Sequence, residues 1–124
     1  MKLRIKGNSL RLRISRTEMA RLLQVGRIEQ TVYFARDAKL TYALEHAASA
    51  QTISVRYRPQ EVTVLLSTSE ARQWAEGEQV GIYGSADTGH GPLALLVEKD
   101  FACLNASDAD SEDEADAFPN PKAC

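Results

Sequence analysis

The chain has 124 residues, 44% of them apolar and 26% charged, with a formal net charge of −2. That is the size and composition of one globular domain that needs no disulfide or metal to hold it. The opening Met-Lys-Leu-Arg-Ile-Lys lacks the apolar stretch of a signal peptide, and no run reaches the roughly 18 apolar residues of a membrane helix. A cytoplasmic protein without membrane attachment is expected.

The first 14 residues carry the clearest pattern. Leu3 and Ile5 alternate with Lys2, Arg4 and Lys6; after Gly7-Asn8, Leu10, Leu12 and Ile14 alternate with Arg11 and Arg13. With Gly7-Asn8 as a two-residue hairpin turn, Ile5 pairs with Leu10, Arg4 with Arg11, Leu3 with Leu12 and Lys2 with Arg13. Paired residues share a face, so the apolar residues collect on one side and the bases on the other. A slip of one residue would break this sorting. A single strand bulged at Gly7 is the alternative. Bases paired with bases repel, so an anionic group is expected near this face: an acid on a neighbouring strand, the acidic tail, or a ligand.

Ser15-Arg-Thr-Glu18 is a capping box, and Met19, Leu22, Leu23 and Val25 follow at helical spacing up to Gly26, which predicts a helix over 16–25. Alternation then predicts strands around Ile28–Phe34 and Leu40–Leu44, turning at Arg36-Asp37-Ala38. Two more strands follow, Ile53–Tyr57 and Val62–Leu66, turning at Pro59-Gln60-Glu61. Ser67-Thr-Ser-Glu70 is a second capping box, ahead of a helix carrying Ala71, Trp74 and Ala75. Val80 and Ile82 open a strand, Ser85–Pro92 is a turn-rich loop, and Leu93–Val97 is a last apolar strand.

The order hairpin, helix, hairpin thus occurs twice, over residues 1–46 and 52–101. About eight short strands and two helices predict an α+β fold, mainly an antiparallel sheet or open barrel. Residues 1–104 form the expected domain, and 105–124 an acidic C-terminal tail.

Charge divides along the same line. Residues 1–27 hold eight bases against Glu18 alone, whereas 105–124 hold six acids against Lys122. The acid-rich stretch buries too little apolar surface to offset its ordering entropy. Phe118-Pro-Asn-Pro121 differs: an aromatic followed by two prolines is stiff, and its packing against the body is expected.

The opening Lys2-Leu-Arg-Ile-Lys-Gly-Asn-Ser-Leu-Arg-Leu-Arg13 resembles the start of a family of small uncharacterised bacterial proteins. Glu98-Lys-Asp-Phe-Ala-Cys-Leu104, the acidic spacer and Phe118-Pro-Asn-Pro121 resemble that family's ending. The resemblance spans nearly the whole chain. It implies no activity, since the family is a domain of unknown function, but it implies that the tail is part of the protein.

Lys2, Arg4, Lys6, Arg11 and Arg13, together with Arg56 and Arg58, form the candidate binding surface, with Phe118 as a tail anchor. Such a face suits an anionic ligand or an acidic protein segment, including the chain's own tail. The plainer reading is a solvated face neutralised by acids such as Glu29 and Glu45. Net charge and the absence of an aromatic on this hairpin's basic face argue against nucleic acid. Lys2-Leu-Arg-Ile-Lys has the spacing, but not the charges, of the Glu-x-Glu-x-Lys strand of triphosphate-binding tunnel folds. His46, His90, Cys103 and Cys124 lack zinc-ligand spacing. The His90 loop carries no phosphate-binding fingerprint. No catalytic residue, metal or cofactor is expected. The sequence leans toward a non-enzymatic binding or regulatory module, with a phosphorylated-ligand-binding protein or small enzyme as the alternative.

Overall fold

The computed structural model describes residues 1–101 and 116–119. Ten elements follow in order: β1 (Lys2–Ile5), β2 (Ser9–Ile14), α1 (Arg16–Val25), β3 (Arg27–Ala35), β4 (Ala38–Ala47), β5 (Ser54–Arg58), β6 (Glu61–Ser67), α2 (Thr68–Glu76), β7 (Gly81–Asp87) and β8 (Pro92–Lys99).

The first hairpin has the register that the charge pattern dictates, Lys2 with Arg13 through Ile5 with Leu10. Gly7 takes φ +54°, the positive value that the first central position of a II′ hairpin turn requires. Both helices begin where a serine can cap them. Ser15 and Glu18 form a complete capping box on α1, and the Ser67 hydroxyl accepts from Glu70 N on α2. The last hairpin is longer than predicted. Ser85–Asp87 continues the ladder opposite Pro92–Ala94, leaving only 88–91 as the loop.

The sheet arrangement departs from the expectation of one antiparallel sheet or open barrel. There are two separate four-stranded sheets, ordered β1-β2-β8-β7 (sheet A) and β3-β4-β6-β5 (sheet B). Each consists of two antiparallel hairpins joined through a parallel central pair, β2 with β8 and β4 with β6. Parallel neighbours arise because each half of the chain contributes one hairpin to each sheet.

The halves share their ladder registers, although the offset between matched residues is 52 on the first hairpin and helix (Ser15 to Ser67), 53 on β4 (Glu45 to Glu98) and 54 on β3 (Gln30 to Gly84). Setting Ser15 against Ser67 places Leu22 on Trp74, Arg4 on Arg56 and Lys6 on Arg58. The ladders then place Glu45 on Glu98 and Gln30 on Gly84. Leu22 and Trp74, the matched helix residues, are both fully buried. They share one core with Leu12, Ile14, Leu95 and Val97 of sheet A and Leu44, Val64 and Leu66 of sheet B. Two inner sheet faces and two helix stripes thus close over a single apolar cluster, leaving the charged strand positions other than Lys99, the last residue of β8, on the outer faces.

Candidate functional site

On sheet A the outer face is built in rows across the strands. Lys2, Arg13 and Glu98 form one row, and Arg4, Arg11, Leu96 and Tyr83 the next. The anion demanded by the base-on-base pairing is Glu98 of β8, which lies 3.2 Å from Arg11 Nε and 3.8 Å from Arg13 Nε. Asp100 Oδ2 lies 2.9 Å from Lys2 Nζ. Tyr83 Oη donates to Glu98 at 2.9 Å; burial first, and then this carboxylate, push the phenol above its ordinary pKa. Arg11 and Arg13 are thereby held in place by an acid only 16% exposed. Arg4 and Lys6, one and two rows further on, make no ion pair among the described residues. With Ser9, Arg11 and Leu96 they line a recess of about 140 Å³.

Arg56 and Arg58 do not join that surface. They lie on β5 in sheet B, as counterparts of Arg4 and Lys6 in the other half. There the outer face is an ion network. Arg27 reaches Glu29 and Glu45 at 2.9 Å and Glu61 at 3.5 Å, and Arg56 reaches Glu45 at 3.5 Å. Burial opposes the charge on Arg27, but hydrogen bonds to Glu45 and Glu29 outweigh it and hold the guanidinium above its ordinary value. Glu29, Glu45 and Glu61 thus offset Arg27 and Arg56, whereas Arg58, exposed at the end of β5, makes no ion pair among the described residues.

The C-terminal segment returns to the body. Phe118 bridges Phe101, donates its N–H to Asp100 O at 2.9 Å, and sets its ring edge-on to that of Phe101 at 6.2 Å. Lys99 lies beneath it, 7% exposed, with Nζ 5.4 Å from the Phe118 ring centre and donating to Gly77 O at 2.9 Å. Asp116 takes the start of α1: its carbonyl accepts from Arg16 N at 3.0 Å, and its carboxylate from Thr17 N and Oγ1 at 3.2 and 2.7 Å. A carboxylate there satisfies orphan helix donors and faces the positive end of the helix dipole. The acid-rich stretch between, together with Cys103, Cys124 and Asn120-Pro121, lies outside the described residues.

Hydrogen bonds from the Ser15 and Thr17 side chains hold the Asp116 carboxyl below its ordinary pKa. A lowered folded pKa stabilises above the ordinary aspartate range, about 3.9, and that stabilisation is lost as pH falls through the folded value. Acid titration is therefore expected to move the Thr17 and Phe118 amide resonances together below about pH 4. Asp116→Asn keeps an acceptor but cannot ionise, so it should remove that pH dependence while leaving the neutral-pH positions nearly unchanged. Persistence of the acid transition in the variant would contradict this assignment.

The remaining candidates are structural. His46 Nδ1 lies 3.0 Å from the Thr68 hydroxyl, and His90 sits in the 88–91 loop, where its N–H meets the Thr88 hydroxyl. Among the described residues, no group of three or more His, Cys, Asp or Glu is placed to hold a metal ion, and no helix is long and apolar enough to cross a membrane. The acids that steady the sheet A face, Glu98 and Asp100, were missed from the sequence. Their placement depends on the parallel pairing of β2 with β8, which strand alternation does not reveal.

Two mixed sheets and two capped helices define a small α+β protein of paired halves. The chain belongs to a family of unknown function (DUF7009), matched over residues 1–122. No curated protein and no solved structure matches it.

Proposed function

We propose that the protein is a small non-enzymatic binding or regulatory module whose sheet A outer face takes an anionic segment of a partner protein. The observation that carries this reading is the division of labour among the five bases of the first hairpin. Glu98 and Asp100 order Arg11, Arg13 and Lys2, while Arg4 and Lys6 keep their donors turned to solvent with no acid beside them among the described residues. A pre-ordered cationic row next to two unpaired cations loses little entropy on meeting carboxylates. The docked Asp116–Pro119 segment supports a regulatory share for the C-terminal end, because it packs at the end of central strand β8 beside Asp100, the partner of Lys2.

The test is fluorescence anisotropy of a labelled polyglutamate peptide with the full chain at low salt. Arg4→Glu with Lys6→Glu is expected to weaken binding about tenfold or more, and added salt should weaken the wild type. Equal affinity of wild type and double variant would rule the reading out.

The recess beside Arg4, Lys6, Ser9 and Arg11 favours one alternative, a phosphorylated ligand held through the same face, with or without turnover. Protection from thermal unfolding by small phosphate esters, but not by polyglutamate, would decide for it.

A further inference from the structure

The two halves share their ladder registers, so places where their side chains differ are informative, and one of these is a seam between edge strands. Edge strands β5 and β7 meet at a seam where Gly84 lies against Ile53; a Cβ on Gly84 would come within 2.3 Å of Ile53 Cγ2. The matching seam lies between β1 and β3. There Gln30 stands for Gly84 and Met1 for Ile53, and Tyr42 stands for the fully buried Leu95. Tyr42 Oη sits 3.0 Å from Gln30 Oε1 and 3.3 Å from the Met1 carbonyl, where a polar group replaces the apolar contact of the other seam.

The result is a cleft of about 570 Å³, within the range of small-molecule sites. Its lining carries both charges. Arg13 and Arg21 supply guanidinium donors, where the other half has Leu65 and Gln73, and Glu18, Asp100 and Asp116 supply acceptors. Each of these carboxylates is already steadied: Glu18 by the Met1 amine and Ser15 N, Asp100 by Lys2, and Asp116 by Thr17. Arg21 has no ion pair among the described residues, and the Arg13 Nε–Glu98 contact is a long 3.8 Å. Guanidinium donors are therefore to spare in the cleft, while its carboxylates keep lone pairs for hydroxyl or ammonium donors.

We propose that the β1–β3 cleft binds a small molecule carrying both a phosphate group, taken by Arg13 and Arg21, and an amine or hydroxyl, taken by Glu18, Asp100 and Asp116. Asp116 belongs to the docked C-terminal segment, so ligand and segment stabilise one another there. Lys2, Arg13 and Asp100 belong both to this cleft and to the sheet A face. Arg4 and Lys6 line the recess on that face but not the cleft, and Arg21 lines the cleft but not the recess, so the Arg4 and Arg21 variants tell the two readings apart.

The test is an amide-resonance titration of the full chain at low salt with phosphoethanolamine, with inorganic phosphate and ethanolamine as single-group arms. Saturable shifts at Lys2, Ser15, Thr17 and Gln30 are expected with phosphoethanolamine, and weaker ones with either fragment. Arg21→Glu, on the exposed side of α1, should reduce the affinity about tenfold, and Arg21→Gln somewhat less. Arg4→Glu should leave it unchanged. Absence of saturable shifts, equal binding of either fragment, or equal loss with Arg4→Glu and Arg21→Glu would each overturn the proposal.

Discussion

Replacing Trp74 with alanine is expected to destabilise the protein by about 3–5 kcal/mol, the largest effect of any single substitution in the core. The indole is fully buried on α2, and its Nε1–H donates to Val80 O at 3.1 Å, tying the helix to the chain entering β7. Alanine removes the filling of a site where two sheets and two helices converge, and leaves that carbonyl with only the Lys99 N–H as donor. Against a total stability of about 5–15 kcal/mol, this takes a small domain close to its unfolding threshold. Trp74 is the sole tryptophan, so the variant loses the fluorescence probe and its urea midpoint is read by circular dichroism. Leu22, its counterpart on α1, should cost somewhat less on replacement by alanine, about 2–5 kcal/mol, because a smaller volume is vacated. A Trp74→Ala midpoint within error of wild type would mean that α2 is not seated as described.

The second large effect is at Gly84. Alanine in place of a strand glycine ordinarily stabilises by about 0.4–1 kcal/mol, because it restricts the unfolded chain. At Gly84 the sign is expected to reverse, to a loss of about 1–3 kcal/mol, because the new methyl overlaps the Ile53 side chain. Ile53 is 3% exposed and β-branched, so its Cγ2 cannot swing aside without vacating the core. The cause can be isolated. Gly84→Ala combined with Ile53→Ala should cost clearly less than the sum of the two single changes, since the second substitution removes the clash. Additive costs, or a stabilised single variant, would contradict close packing of the β5–β7 seam.

What could be read from the sequence was local. The first hairpin, both capped helices and the repeated order of elements follow from alternation and from the serines at positions 15 and 67, because short-range sterics and capping decide them. Whether Arg56 and Arg58 shared a surface with Arg4 and Lys6 could not be read. All four sit at matching places in the repeat, but on different sheets, and sheet partnership depends on contacts far apart in the chain. The same holds for Glu98. Its role on Arg11 and Arg13 depends on the parallel β2–β8 ladder, whose register is set by packing of the two halves and leaves no mark in the local pattern. The stiffness of Phe118-Pro119 did foretell docking. The helix-capping use of Asp116 did not stand out, because six similar acids crowd the tail.

The functional account rests on the sheet A outer face being the surface that meets anions. Mapping amide resonances of the full chain during titration with unlabelled polyglutamate tests it most directly. The account predicts the largest shifts along Arg4–Lys6 and Ser9–Arg13 and at Leu96 and Glu98, fading as salt is raised. Shifts concentrated instead on the outer face of sheet B, around Arg27 and Arg56, or absent at low salt, would contradict it.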